Sequence, residues 1–307
     1  MTSDSARIHE MNTERIAVTA ASGLLGRTVL AELITLSGPE NVVAVVRNPE
    51  TFNSSNIAVR RGNYDDETEM ATALSGVDAL LMIASPIVPN VDRLAQHTRV
   101  VNAARAAGVR KIVYTSVIGG EATSEMLYRP TQQVGRATEA LVKDSGMTWV
   151  IARNGLYVDL DLRHIRRAAA GDGIYRNNAG TGRCGYISVA ELGVALATLM
   201  STDQCTNETV NLTSENLTQT ELVGNANDVF GSRVSYEKIS IQQCLDKFHA
   251  MPDYVKRGEE LITMLVGCFE CIDRGLFEVS SDFEYVVGRP AKSIREQLED
   301  VRDRHAQ

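Results

Sequence analysis

One segment near the start of the chain restricts the fold more than any other. Residues 15–18 include a short apolar run, and residues 19–26 follow as mostly small residues with two glycines, Gly23 and Gly26, three positions apart. Apolar residues at helical spacing continue from 28 to 36, so the pattern predicts a strand, a tight turn and a helix. Such a turn points the free N–H groups and the positive dipole end of the helix at one place, which favours a phosphate.

The glycine pattern by itself also fits an ordinary βα turn. The dinucleotide-binding form has three glycines, and here Ala20 stands at the first position, ahead of Gly23 and Gly26. The next apolar run, residues 41–46, is typical of a buried parallel strand and ends at Arg47. An acid at this point would bind the ribose 2′-hydroxyl of NAD, whereas an arginine accommodates the 2′-phosphate of NADP. We therefore predict NADPH as the cofactor, the alternative being that Arg47 is a solvated residue at a strand end.

Composition excludes several classes of protein. A chain of 307 residues that is 44% hydrophobic and 23% charged suits one large α/β domain with an elaborated lobe. The net charge of -8 argues against nucleic-acid binding. No segment has the apolar length of a membrane span, and residues 1–12 lack the apolar core of a signal peptide. We expect a cytoplasmic protein with a small-molecule substrate and no membrane or nucleic-acid partner.

The five cysteines are an odd number and lack framework spacing, which fits a reducing compartment. Cys268 and Cys271 form a C-x-x-C pair, but no second pair and no nearby histidine completes a zinc site. We predict buried structural thiols and no metal.

Strands and helices alternate up to residue 155, which predicts a Rossmann-like, doubly wound parallel α/β sheet with a smaller C-terminal substrate lobe. The predicted strands after residue 47 are 57–60, 79–83, 111–115 and 148–152, and the predicted helices are 65–74, 92–107 and 131–145. Later segments predict helices at 162–170, 218–229 and 255–272, a strand at 210–212, and a helix opened by a capping box of Ser188 and Glu191. We divide the chain into an NAD(P)-binding domain at 13–155, which also receives about 186–215, a smaller lobe at 156–185 and 216–287, and a C-terminal helix at 288–307.

Ligands of parallel sheets bind outside the carboxyl ends of the strands. This rule selects the segments 85–86, 115–117 and 153–155 as the edge of the binding pocket, beside the glycine turn.

Residues 18–26, 46–49, 61–65, 114–116 and 153–157 together resemble the NmrA-like branch of the atypical short-chain dehydrogenases, and within it the bacterial NAD(P)H:quinone oxidoreductases and triphenylmethane reductase. The similarity extends from about residue 14 to about residue 300. It implies a dinucleotide over the turn, the 2′-phosphate at Arg47 and the adenine near Asn63 and Tyr64. Relatives often carry an aspartate in place of Asn63 and a glycine in place of Ala20, and we expect the turn to tolerate the alanine through a negative φ.

The predicted site residues fall into two sets. The cofactor-binding set is Thr19, Ala20, Ser22, Gly23, Leu24, Leu25, Arg47, Asn63, Tyr64, Ala84, Ser85 and Thr115. The substrate-binding set is Pro86, Ser116, Val117, Asn154 and Tyr157.

Carbonyl-reducing short-chain dehydrogenases use a tyrosine as general acid and a lysine four residues later. Here Gln132 follows Tyr128 at that spacing and Asp161 follows Tyr157, so the pair is absent. Tyr128, as a weak proton donor, and Tyr157, as a substrate contact, are the remaining catalytic candidates. The absence favours hydride transfer to a quinone or similar conjugated molecule that delocalises the charge itself.

Two alternatives stay open. The first is a non-catalytic NADP-sensing regulator that acts through a protein partner, and the second is a reductase of a specialised carbonyl or imine. We also expect a homodimer, because acidic α/β enzymes of this size often pair.

Overall fold

A seven-stranded, fully parallel sheet forms the centre of the molecule. The computed structural model describes residues 14–53, 56–85 and 89–306. The strands lie in the order β3-β2-β1-β4-β5-β6-β10, the Rossmann order with one added strand. They are β1 (Ile16–Val18), β2 (Val42–Val46), β3 (Ala58–Arg61), β4 (Ala79–Met82), β5 (Lys111–Val117), β6 (Thr148–Asn154) and β10 (Glu208–Leu212).

Both faces of the central strands β1, β2 and β4 are covered, which explains why these strands read as continuous apolar runs. In β1, Ile16 and Val18 pack into one hydrophobic core and Ala17 packs into another on the opposite face. The first face carries α1 (Leu24–Ser37), α6 (Val189–Ser201) and α11 (Phe283–Val287); the second carries α2 (Glu67–Ala73), α3 (Asn90–Ala106) and α4 (Arg129–Lys143). The predicted Rossmann-like α/β fold is confirmed.

The rest of the chain builds a further hydrophobic core beyond the carboxyl end of β6. Its strands form two small sheets, β7 (Leu156–Tyr157) with β9 (Cys184–Ile187) and β11 (Glu215–Leu217), and β8 (Ile174–Asn177) with β12 (Ser235–Lys238). Its helices are α5 (Val158–Ala169), α7 (Gln219–Phe230), α8 (Ile241–His249), α9 (Pro252–Val255), α10 (Glu259–Asp273) and α12 (Ile294–Ala306). The proposed division into a nucleotide-binding domain and a smaller lobe stays a prediction.

Three predicted helices differ clearly in their bounds. The C-terminal helix predicted at 288–307 begins six residues later, at Ile294, because Gly288 adopts a φ of 80° and Pro290 follows it. The segment 255–272 is split between α9 and α10, because Gly258 adopts a φ of 100°, which a helix does not allow. Helix α5 begins four residues before the predicted start, and its first turn carries Asp159 and Asp161, which suit the positive end of the helix dipole.

The predicted capping box at the start of α6 is half formed. Ser188 caps the helix by accepting a hydrogen bond from Glu191 N (3.2 Å). The Glu191 carboxylate does not reach back; it binds both terminal nitrogens of Arg289 at 2.8 and 2.9 Å. The Ser188 N–H donates instead to Gln297 Oε1 at 2.6 Å, so the end of the chain supplies the second half of the cap.

All five cysteines are buried and free, as predicted. Within the described residues no helix is long and apolar enough to cross a membrane. The same residues contain no group of three or more His, Cys, Asp or Glu side chains arranged to hold a metal ion.

Candidate cofactor cleft and active site

The turn between β1 and α1 has the shape that a phosphate requires. Gly23 is the N-cap of α1 and no side chain caps the helix, so its first N–H groups are free of side-chain acceptors. Ser22, Gly23 and Leu24 are exposed. A Cβ at Gly26 would lie 2.6 Å from Ala20 O and 2.7 Å from Ala21 Cα, so only glycine allows α1 to pack this closely on the turn.

Ala20 departs from the expectation of a negative φ. Its φ is 49°, in the left-handed region that glycine adopts without cost. The turn closes through a hydrogen bond from Gly23 N to Ala20 O at 3.0 Å. The missing first glycine therefore leaves the shape of the turn unchanged and adds local backbone strain.

Thr19 lies beneath the turn and is fully buried. Its hydroxyl donates to Leu81 O at 3.1 Å and accepts from Ile83 N at 3.1 Å, while the Tyr64 hydroxyl lies 2.6 Å from the same oxygen. The Thr19 side chain thus joins β1, β4 and Tyr64, and its contact with a cofactor stays a prediction. Burial also raises the pKa of the Tyr64 hydroxyl, which remains neutral.

Arg47 and Asn63 lie at the ends of β2 and β3. Arg47 is exposed, and its side chain forms no hydrogen bond or ion pair with any described residue. Asn63 is half-buried and accepts a hydrogen bond from Asp65 N at 3.2 Å through Oδ1, which leaves its amide N–H groups for a ligand.

These features fit a dinucleotide. The uncapped helix N-terminus suits a pyrophosphate, the close approach at Gly26 keeps the turn free of side chains, and Arg47 offers an uncommitted cation at the strand end where a 2′-phosphate is expected.

A cavity of about 330 Å³ opens at the carboxyl ends of β4, β5 and β6. It brings together many predicted site residues, namely Ala84, Ser85, Thr115, Ser116, Val117, Tyr128, Asn154 and Tyr157. Residues of the further core close its other side, namely Leu156, Leu160, Asp161, His164, Met264, Leu265, Cys268 and Phe269. Pro86 lies outside the described residues. The cavity walls are mainly apolar, so a bound molecule is removed from water there.

The two tyrosine candidates differ in their contacts. Tyr157 Oη accepts a hydrogen bond from Asn154 Nδ2 at 3.3 Å, and Asn154 Oδ1 is buried without a partner among the described residues. The Tyr128 hydroxyl makes no hydrogen bond with a described residue, and its ring packs edge-on against Phe277. Burial raises the pKa of both hydroxyls, that of Tyr128 strongly. No lysine lines the described part of the cavity.

Ser116 is held by a charged network behind the cavity wall. Its hydroxyl donates to Glu139 Oε1 at 2.6 Å, and Arg136 and Arg153 bind the same carboxylate at 2.6 to 2.9 Å. Burial by itself would raise the pKa of Glu139, but hydrogen bonds from Arg153 and Ser116 and the charge of Arg136 outweigh it and lower the pKa. Glu139 therefore stays ionised and positions β5 against β6.

Ser85 is fixed by a buried histidine. Thr138 Oγ1 donates to Val134 O at 2.8 Å, so at its other contact it accepts from His97 Nδ1 at 2.9 Å. His97 Nε2 then accepts from Ser85 N at 3.1 Å. Burial and the charge of Arg93 lower the pKa of His97 to about 3, so the imidazole is neutral and acts as a support for the loop after β4.

The chain is similar to proteins of a known family. Residues 20–198, more than half of the chain, match the sequence profile of a family described as NAD(P)H-binding. Quinone oxidoreductase 2 of Escherichia coli is 31% identical over 293 residues, 92% of this chain and 97% of that protein. An NmrA-like family domain-containing oxidoreductase of Aspergillus flavus is 31% identical over 241 residues, 76% of each. The chain belongs to the NAD(P)H-binding NmrA-like family.

A solved structure agrees with this family. The Citrobacter sp. triphenylmethane reductase complexed with NADP(H) matches with a TM-score of 0.81 and 28% identity, covering 93% of this chain and 99% of the other. The predictions of an NmrA-like chain, of an NAD(P)H-binding site and of an oxidoreductase are confirmed.

Among the lining residues of this NmrA-like chain that were not predicted are Arg93, Asp161 and His164, whose side chains can carry a charge. Burial raises the pKa of Asp161 to about 6, although hydrogen bonds from Tyr175 and Tyr186 oppose the rise. His164 Nε2 bonds the Tyr254 hydroxyl at 2.9 Å, and burial lowers the pKa of the imidazole to about 4. Arg93 lies on α3 and the other two lie on α5, away from the strand ends that the sequence rule selects.

Proposed function

We propose that this protein is an NADPH-dependent reductase of quinones or similarly conjugated small molecules. The relatives named above support the acceptor class, since one is named for a quinone and another for triphenylmethane dyes. A quinone and a triphenylmethane dye share an extended conjugated system that accepts a hydride.

The residues that line the cavity are the main support for this proposal. The cavity joins the carboxyl ends of β4, β5 and β6 to apolar side chains such as Leu156, Leu265 and Phe269, and it offers no tyrosine–lysine pair among the described residues. An isolated carbonyl needs a general acid as its oxygen gains charge. A conjugated acceptor spreads that charge, so an apolar cavity is sufficient.

NADPH is the expected cofactor because Arg47 is exposed and uncommitted at the end of β2. When bound, the cofactor supplies a hydride. The chain's own contribution is to bind and orient: the α1 N-terminus takes the pyrophosphate, Asn63 contacts the adenine, and Ala84, Ser85 and Thr115 border the place where the nicotinamide meets the acceptor.

Asn154 and Tyr157 are proposed to contact the acceptor. The unpartnered Oδ1 of Asn154 is buried at the cavity wall, where a ligand donor would relieve the cost of its isolation. Ser116 and Val117 complete the wall at the end of β5.

The test is to follow NADPH oxidation by absorbance with quinones, dyes, aldehydes and ketones after titrating cofactor binding. Turnover with conjugated acceptors that exceeds turnover with simple aldehydes and ketones supports the proposal. Tight NADPH binding without turnover on any acceptor would instead favour a cofactor-sensing regulator, and preference for an isolated carbonyl would favour the specialised reductase. The expected homodimer is checked by light scattering and the expected cytoplasmic location by cell fractionation.

A further inference from the structure

Arg93 lines the cavity and has no counter-ion among the residues that the structure describes. It lies near the start of α3 and is the one lysine or arginine among the described residues that line the cavity. Its Nε atom is buried and has no hydrogen-bond partner. The guanidinium forms no ion pair with a described residue. An unpaired charge beside apolar walls is costly unless a ligand pairs with it.

Two carboxyl groups are candidate counter-ions for Arg93: Glu260, which contacts the start of α3, and Asp161, which lines the cavity. Glu260 Oε1 accepts from Asn90 N at 3.2 Å at the start of α3, while its other oxygen has no partner. Asp161 Oδ1 accepts from the Tyr175 hydroxyl at 2.6 Å. Neither carboxylate pairs with Arg93, so the positive charge is available to a ligand.

The charge of Arg93 affects the pKa of three ring side chains near the cavity. It opposes the rise that burial causes in the pKa of Tyr114 and Tyr128, and it adds to the fall that burial causes in the pKa of His97. The other titratable groups of the lining are Tyr157, His164 and Cys268, which burial keeps neutral, and Asp161.

We propose that Arg93 binds the acceptor oxygen that becomes negatively charged during reduction, and so favours conjugated carbonyl acceptors over acceptors whose reduction leaves no charged oxygen. This inference rests on the proposed reductase function. It assigns Arg93 the role of a preorganised donor for a developing oxyanion.

Reduction of a conjugated carbonyl transfers one hydride and moves one electron pair. The acceptor gains a hydride from reduced nicotinamide, which is oxidised to NADP⁺, and a C–H bond forms at a conjugated carbon. The electron pair of the broken π bond moves to the carbonyl oxygen as a negative charge. Arg93 keeps its own protons, as arginine does in proteins, and pairs with that oxygen until solvent protonates it.

A titration of bound 4-nitrophenol tests this without turnover. Absorbance reports the pKa of the bound phenol, whose phenolate oxygen imitates the charged product oxygen. We expect a pKa in Arg93→Gln that is higher than in wild type by at least about 1 unit, the scale of one opposite charge at close range. Arg93→Lys should retain part of the effect, and Arg105→Gln, an exposed arginine on the same helix, should behave as wild type. Equal pKa values in wild type and Arg93→Gln would overturn the proposal.

A kinetic comparison gives the second readout. For menadione, kcat/KM should fall about 100-fold in Arg93→Gln, the scale of one lost oxyanion donor. For a cationic triphenylmethane dye, whose reduction leaves no charged oxygen, kcat/KM should stay the same or rise, because the variant also loses the repulsion between Arg93 and the dye. Equal losses with both acceptors would mean that Arg93 serves the cofactor or the fold, and would overturn the proposal.

The experiments distinguish a failure of the reductase function from a failure of the Arg93 proposal. If wild type turned over no acceptor, the reductase function would fail while the nitrophenol titration still decided the role of Arg93. Arg93→Met, with an apolar side chain of similar reach, replaces Arg93→Gln if circular dichroism shows that the glutamine variant is unfolded.

Discussion

Glu139 binds Arg153 through both carboxylate oxygens, at 2.9 Å from Nε and 2.7 Å from Nη2. The same carboxylate accepts from Arg136 Nη1 at 2.6 Å and from the Ser116 hydroxyl. One buried acid therefore ties α4 to the carboxyl ends of β5 and β6, which form one wall of the cavity. Arg153 was predicted to lie at the edge of the binding pocket, and its guanidinium binds Glu139 within this network.

Replacing Glu139 with glutamine should destabilise the protein by about 3 kcal/mol, because two partly buried arginines lose their counter-ion. Chemical denaturation measures the change. Glu237→Gln, which removes an exposed partner of Arg176, is the matched control and should cost less than about 1 kcal/mol. Equal effects of the two variants would show that the Glu139 network adds no more than a surface ion pair.

Arg47→Ala should weaken NADPH binding by about 10- to 100-fold and leave NADH binding nearly unchanged, since a charged hydrogen bond to the 2′-phosphate contributes about 1.5–3 kcal/mol. Fluorescence titration with both cofactors measures this. Arg233→Ala removes an exposed arginine far along the chain and should change neither affinity. Parallel losses for both cofactors would refute the 2′-phosphate assignment.

Ala20→Gly should stabilise the protein by roughly 0.5–1 kcal/mol. Relief of the left-handed conformation gains about 1–2 kcal/mol, and the greater freedom of glycine in the unfolded chain takes back part of it. Ala250→Gly is the control, because Ala250 caps α8 at a φ of -77° and the same change there should destabilise. Thermal unfolding compares the two; a loss of stability in Ala20→Gly would contradict the strain at this turn.

Tyr128→Phe should keep kcat for quinone reduction within about threefold of wild type. The hydroxyl has no hydrogen-bond partner among the described residues, and burial raises its pKa well above its usual value, so it is a poor acid. Tyr157→Phe removes the acceptor of Asn154 Nδ2 and should affect KM more. A hundredfold drop in kcat for Tyr128→Phe, the scale of a lost general acid, would restore Tyr128 as the proton donor.

Asp161→Asn should change how stability depends on pH. Burial raises the pKa of Asp161 from 3.8 to about 6, so the folded state favours the protonated carboxyl, and this contribution is full below pH 4 and lost as the pH rises through 6. An amide oxygen still accepts from Tyr175 and carries no charge. The variant should therefore gain about 3 kcal/mol over wild type between pH 4 and pH 8.

Urea unfolding at several pH values measures this difference. Asp246→Asn, which replaces an exposed aspartate on α8, is the matched control for the change from aspartate to asparagine. A difference between Asp161→Asn and wild type that does not vary with pH would mean that Asp161 is ionised at no cost.

The sheet was predictable because each strand carries its own signal. Strands such as β2 are buried on both faces and read as unbroken apolar runs, and the turn before α1 needs glycine at position 26. The strands β8 and β12 were missed because each is short and is stabilised by a partner far away in the sequence, with Ile174 opposite Ser235.

The site was only partly predictable for a related reason. Residues at the carboxyl ends of strands could be placed by rule, and they gather in the cavity. Nothing local distinguishes Arg93 from Arg99 or Arg105 on the same helix; only the folded chain shows that the first lines a cavity while the other two do not.

The positions of α6 and β10 limit where the chain can be cut. Both follow residue 155 in the chain, yet α6 packs on α1 and β10 pairs with β6. A fragment that stopped at residue 155 would expose the apolar face of α1 and leave the edge of β6 unpaired. An unpaired strand edge can pair with another chain and cause aggregation. The nucleotide-binding part is thus not a detachable module, and fusion or truncation at that boundary would remove pieces of its own core.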